Sequence, residues 1–213
     1  MKQAIYLMLL LVGWLPTTAL AQNADEILKQ AAEMYAQSNG IQAHFSLHTT
    51  IPQQGVSESF EGIIYMHDDQ FKLETPDMTT WYDGTTQWTY LPRTEEVNIT
   101  TPSGDELQTT NPAVLLHTYQ NGFKAKYIGT STTRQAKTAY DIELTPKRKS
   151  DIQSVALQVE KLTHVPVSFT ITDKNGATYA IVISEWKTQL NQPDRFFTFP
   201  EADYPDAEIV DLR

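Results

Sequence analysis

The sequence predicts a mainly β protein of the α+β kind, built on an antiparallel sheet that curls into a barrel or half-barrel. Three observations carry this. Apolar residues recur with period two over most of residues 41–199, the pattern of strands whose side chains alternate between faces. Turn signals such as Asp83-Gly84 and Asp173-Lys174-Asn175-Gly176 fall at hairpin intervals. Helical periodicity is confined to one clear segment and one short one. A sheet of about ten strands has more apolar face than a helix and a half can cover, so it must bend on itself. Such a sheet either fills its interior with side chains or keeps room for a greasy ligand, and composition leaves both outcomes open.

Taken in order, the chain begins with Lys2, an apolar run from Ile5 to Leu15 and the small-residue site Ala19-Leu20-Ala21. This reads as a secretory signal peptide, residues 1–21, cleaved after Ala21. An uncleaved anchor is the alternative, but the run is short for a bilayer span. Residues 22–213 then form one domain. Asn23 can cap a helix, with Glu26 three residues on and Gly40 beyond its end. Ile27, Leu28, Ala31, Met34 and Tyr35 make its apolar stripe, suited to docking on a sheet.

Strands follow. Ile41, Ala43, Phe45, Leu47, Thr49 and Ile51 alternate with polar partners, as do Phe60, Gly62, Ile64 and Met66. Ile63 and Tyr65 make that second strand greasy on both sides. Phe71 and Leu73 alternate with Lys72 and Glu74. Further strands are expected at Phe123–Tyr127, Tyr140–Leu144, Val155–Val159, Phe169–Ile171, Tyr179–Ile183 and, last, Phe197–Phe199. Pro112 to Tyr119 reads as a short helix, with Pro near its first turn and Asn121-Gly122 after it.

The stretch from Met78 to Tyr90 holds Trp81, Tyr82, Trp88 and Tyr90 around Asp83-Gly84. A two-residue turn there sets Tyr82 opposite Thr85, and a four-residue turn sorts the faces identically. Trp81, Trp88 and Tyr90 then share one face, with Tyr82 on the other.

Function classes are narrowed mainly by what is missing. The formal charge is −10, or −11 once Lys2 leaves, so net charge does not draw the protein to nucleic acid or anionic membranes. Lys147-Arg148-Lys149 reads as a solvated turn, with partner docking as the alternative. With no cysteine, the chain has no disulfide and no site for a lipid anchor of its own. His44 and His48 stand about 13 Å apart on a strand, too far to share a metal. Asp68-Asp69 sits in His67-Asp68-Asp69-Gln70, which reads as a turn rather than a pair for acid–base work. No nucleophile–base pair and no phosphate-binding or metal motif is present. The expectation is a non-enzyme with no cofactor and no metal.

The chain from Phe71 to Val97 resembles the periplasmic outer-membrane lipoprotein carrier (LolA) family. The resemblance lies in Asp83-Gly84 followed by Trp88-x-Tyr90-x-Pro92 and Glu96-Val97, then Asn111-Pro112 with Val114-Leu115-Leu116. Leu144-Thr145-Pro146, Pro166, Asp173-x-x-Gly176 and Phe197-x-Phe199 continue in order. The ending Ile209-Val210-Asp211-Leu212-Arg213 is similar to the version in Bacteroidetes-type bacteria.

The resemblance implies an open, incomplete β-barrel of about ten or eleven strands, closed by a long N-terminal helix and one or two short ones. It implies a periplasmic chaperone and carrier, monomeric, that binds the acyl chains of lipoproteins in an apolar cavity. The carrier takes them from an inner-membrane lipoprotein-releasing transporter to an outer-membrane acceptor, a protein-transport step in outer-membrane biogenesis. A lipid- or lipoprotein-sensing regulator of the same fold is the alternative. On the family pattern the cavity lining or rim is Phe45, Leu47, Ile64, Met66, Phe71, Leu73, Trp81, Trp88 and Tyr90, and the lid includes Pro112, Val114, Leu115 and Leu116. Phe71 matches a position whose aromatic faces the cavity, and Leu73 falls where members often carry Trp. The family's Arg before the Phe71 strand is absent here, replaced by His67-Asp68-Asp69-Gln70. The physical motive for a carrier is plain: each methylene gains about 0.8 kcal/mol on leaving water, so a lipid chain resists crossing the periplasm alone by on the order of 10 kcal/mol.

Overall fold

A computed structural model describes residues 23–103, 107 and 122–213. These form one helix, α1 (Ala24–Ala36), and twelve strands. In chain order the strands are β1 (Ile41–Ile51), β2 (Val56–His67), β3 (Gln70–Glu74), β4 (Thr79–Tyr82), β5 (Gln87–Leu91), β6 (Glu96–Thr100), β7 (Phe123–Thr132), β8 (Thr138–Pro146), β9 (Ile152–Glu160), β10 (Pro166–Asp173), β11 (Thr178–Thr188) and β12 (Glu208–Asp211). All belong to one sheet in the order β12-β6-β5-β4-β3-β2-β1-β11-β10-β9-β8-β7. Neighbours are antiparallel throughout, except that β12 lies parallel to β6. The long link between β6 and β7 lets the chain leave one half of the sheet and return through the other, so that β1 and β11 join at the centre. The sheet is curled and open: β7 and β12 remain its two edges.

α1 begins where the sequence places it. The Asn23 side chain accepts a hydrogen bond from the Asp25 N–H at 3.0 Å, satisfying one of the donors a helix start leaves unpaired. The helix stops at Ala36, and the Ser38 hydroxyl donates to the Tyr35 carbonyl at 2.6 Å. Ala24, Ile27, Leu28 and Ala31 pack on Phe123, Ile142, Leu144, Val155, Leu157, Val159, Phe169 and Ile171. The face carrying α1 is the inner face. On β7–β10 the opposite, reverse face is mostly polar and solvated, the one-face-wet arrangement of antiparallel sheets.

The other half is built differently. β4 is buried on both sides, Thr80 and Tyr82 inward and Trp81 outward. Its reverse face is covered by the chain after β11, which makes two short 3-10 turns, Asp194–Phe197 and Glu201–Asp203, before entering β12. This explains why β2 is greasy on both sides: Tyr65 meets the Phe196 ring edge-on at 5.1 Å on the reverse face, while Ile64 and Met66 face inward.

Three expectations are corrected. Phe197–Phe199 is not a strand; Phe197 ends a 3-10 turn and Phe199 drops onto Trp81. Period-two burial appears there because an extended segment crosses a sheet face, not because it joins a ladder. Glu96–Thr100 and Glu208–Asp211 are the strands not anticipated, which raises ten or eleven to twelve. Among the described residues the elements of helix leave the sheet open: α1 has 13 residues, about 20 Å at 1.5 Å per residue, and the 3-10 turns have three or four residues each. The short helix expected at Pro112–Tyr119 lies outside the described residues.

Candidate functional site

The inner face of β1–β4 is the candidate site, and strand register assembles it. Ala43 pairs with Ile64, Ile41 with Met66, Ile64 with Leu73 and Met66 with Phe71. Phe71 then pairs with Tyr82, so the tyrosine continues the row. With Tyr35 from α1 these residues form one buried cluster, with Phe45, Met78, Leu107, Ile183 and Trp186 packed at its margin. Trp186 reaches this face because β11 carries a bulge at Ser184, where the pairing passes from Phe45–Ile183 to His44–Glu185.

Along β1–β3 the exposure of this face changes in one step. Ile41, Ala43, Ile64, Met66, Phe71 and Leu73 are buried. Phe45, Leu47, Phe60, Tyr179, Ile181 and Ile183, nearer the β1–β2 and β10–β11 turns, are half-buried. Phe45 stands at the boundary. It pairs with Gly62, whose missing side chain leaves a slot that the Phe45 ring fills. A Cβ on Gly62 would lie 2.7 Å from the ring's Cζ and 2.7 Å from the Glu74 carbonyl oxygen, so only glycine fits. The ring also meets Phe60 edge-on at 6.4 Å.

The hydroxyls near this cluster stay protonated. Tyr35 donates to the Asp68 carbonyl at 3.0 Å, pinning α1 to the β2–β3 turn, where Asp68 takes a positive φ of 49°. Burial, reinforced by the carboxylates of Asp68 and Asp69, pushes the Tyr35 pKa well above its ordinary value. Burial and then Asp69 and Asp83 raise Tyr82 likewise.

Of the nine residues expected at the cavity lining or rim, Phe45, Leu47, Ile64, Met66, Phe71 and Leu73 share the inner face, and Trp81, Trp88 and Tyr90 lie on the reverse one. The hairpin sorting holds: Trp81 pairs with Trp88 and Thr79 with Tyr90, with Tyr82 on the opposite side. The loop is four residues long, with Tyr82 opposite Gln87, and Asp83 holds it by accepting the Thr85 and Thr86 N–H groups. The face carrying the three rings is the reverse one. Trp81 packs against Phe199 at 5.4 Å and Tyr204 at 5.8 Å, and Tyr90 against Tyr204 at 4.5 Å. Lys72 threads between them, its Nζ 5.0 Å from the Phe196 ring and 5.6 Å from Trp81, while paired with Glu74 at 2.7 Å. The rings therefore seat the C-terminal segment rather than join Phe71 and Leu73. The physical reason is parity: the four-residue β3–β4 connection brings Tyr82, not Trp81, opposite Phe71.

Residues not anticipated on the inner face are Tyr82, Phe60, Ile181, Ile183 and Trp186. The pairing parity of β3 with β4 was the signal that would have found Tyr82. Pro112, Val114, Leu115 and Leu116 lie outside the described residues. His44 contacts Gln42 and Glu185, and His48 contacts Ser59 and Thr50, so the two histidines belong to separate polar clusters. No cluster with metal-ligand composition occurs among the described residues. No helix among them is long and apolar enough to cross a membrane.

A curled, open sheet with one helix against it and a graded apolar inner face defines a class of protein that offers greasy surface. Residues 16–181 match the family described as outer membrane lipoprotein carrier protein LolA, and the chain belongs to that family. No curated protein matches the sequence. Among solved structures, an uncharacterized conserved protein from Thermus thermophilus aligns with a TM-score of 0.61 at 18% identity, covering 89% of this chain and 99% of its own, so the two share a fold. A LolA superfamily protein from Nitrosomonas europaea aligns at TM-score 0.48 and 15% identity, over 84% of this chain and 99% of its own. An outer membrane lipoprotein-sorting protein domain from Vibrio parahaemolyticus aligns at 0.46 and 13%, over 83% and 97%. The C-terminal segment that covers Trp81 lies beyond the residues matched by the family.

Proposed function

We propose that this protein carries acylated lipoproteins across the periplasm, from an inner-membrane releasing transporter to an outer-membrane acceptor. In this reading residues 1–21 are a signal peptide removed after Ala21, and residues 22–213 act as one unit. The acyl chains lie along the inner face of β1–β4, and the segment with Pro112, Val114, Leu115 and Leu116 serves as a lid. The observation that carries the reading is the half-buried strip of Phe45, Leu47, Phe60 and Ile181 beside a fully buried apolar cluster, in a chain that belongs to the LolA family. A stable core has no need to leave a row of large apolar side chains half open, whereas a carrier needs apolar surface it can later give up. Apolar contact, not a catalytic constellation, does the work.

The test is mass spectrometry of material bound to the protein purified from the periplasm of a diderm host. Acylated peptides are expected with the parent. Leu47→Glu, which sets a carboxylate in the strip, is expected to lose them. Leu162→Glu, at a side chain 86% exposed, is expected to keep them. Free lipid without peptide would favour the sensing regulator instead. Equal cargo on the parent and Leu47→Glu would remove the inner face from the reading.

A further inference from the structure

We infer that Phe45 is the stop that sets how long an acyl chain the protein accepts. This rests on the carrier reading and adds to it a residue that measures the ligand. The step in exposure on the inner face falls at the Phe45–Gly62 pair: Leu47 and Phe60 on one side are half-buried, and Ala43 and Ile64 on the other are buried. A chain advancing over Leu47 and Phe60 toward Ile64 must cross the row where Phe45 faces Gly62. The Phe45 ring occupies that row, folded into the slot left by glycine, with Phe60 against it.

Two features make the ring a stop and not simply part of the core. Gly62 has no Cβ, so the ring is held there by contact alone and its withdrawal bares backbone rather than another side chain. Phe45 also sits where the two apolar clusters meet. It packs at the margin of the Tyr35–Tyr82 cluster and pairs across β11 with Ile183, which touches both clusters. Its position therefore divides the half-buried strip from the buried cluster.

The test measures affinity of the full chain for a series of saturated fatty acids of increasing length, for the parent and for Phe45→Ala, Phe45→Leu and Phe45→Trp. For the parent, affinity should rise by about fourfold per methylene and then level off where the chain meets the ring. Phe45→Ala should move that plateau to longer chains, by on the order of four carbons, since six ring carbons leave a space of comparable size. Phe45→Leu should move it less, and Phe45→Trp should move it to shorter chains. A merely structural role would lower affinity evenly at every length and leave the plateau where it was. If all folded variants level off with the parent, the stop is refuted while the carrier reading stands. If the parent binds no fatty acid of any length, the carrier reading falls and the stop with it.

Discussion

Trp81→Ala is the substitution on which the assignment of the two faces turns. The indole is 2% exposed. It packs edge-on against Phe199 at 5.4 Å and Tyr204 at 5.8 Å, faces Trp88 across the β4–β5 ladder, and has the Lys72 ammonium 5.6 Å from its ring. Removing a buried aromatic of this size costs about 3–5 kcal/mol, a large share of the roughly 5–15 kcal/mol that holds a domain folded. The ring-pair and cation–π contributions, about 0.5–1.5 kcal/mol each, are contained in that figure and do not add to it. At about 2–4 °C per kcal/mol for a chain of this length, the thermal midpoint should fall by about 6–20 °C. The loss should concentrate in the C-terminal segment, because Phe199 and Tyr204 are its anchors. Hydrogen exchange reads this directly. The Glu208 and Leu212 N–H groups donate to the Glu95 and Ile99 carbonyls at 2.8 and 2.9 Å, and their exchange should quicken far more than that of the β8–β9 ladder. Fatty-acid affinity should stay within about threefold of the parent, a change of under 1 kcal/mol. The reasoning fails if the midpoint hardly moves, or if β12 stays protected while fatty-acid binding collapses; the latter would return Trp81 to the lining.

Two other substitutions follow from the inner face. Gly62→Ala places a methyl 2.7 Å from both the Phe45 ring and the Glu74 carbonyl, so urea unfolding should show a loss of about 1–3 kcal/mol, only partly recovered in Phe45→Ala/Gly62→Ala because the carbonyl still obstructs. Tyr35→Phe removes the hydrogen bond to the Asp68 carbonyl and should cost about 0.5–1.5 kcal/mol at neutral pH. The same variant should alter the alkaline limb of stability. Burial raises the Tyr35 pKa in the folded state, so its contribution is fully present below the ordinary tyrosine value of 10.0. As pH climbs past that value the unfolded chain ionises first and stability falls. The variant should lose stability less steeply there in pH-resolved unfolding, and an unchanged slope would show that this hydroxyl is not insulated.

The sequence determined whatever is encoded over short distances. Period-two runs, Phe197–Phe199 excepted, gave strands that the ladders confirm, Asn23 gave the start of α1, and Asp83-Gly84 gave a hairpin with Trp81, Trp88 and Tyr90 on one side and Tyr82 on the other. Ordered motifs gave the family. Tertiary structure decided what each face meets. Alternation fixes that two faces exist, but the parity of the β3–β4 connection chose Tyr82 for the inner one, and residues 196–204, more than a hundred positions away, covered the other. β12 shows the same limit: four residues with Ile209 exposed carry little strand signal, and their order comes from lying parallel to β6. Contacts between distant segments depend on how connections close and on which apolar surface remains uncovered once the local elements have formed, and neither is written in the periodicity of any one stretch.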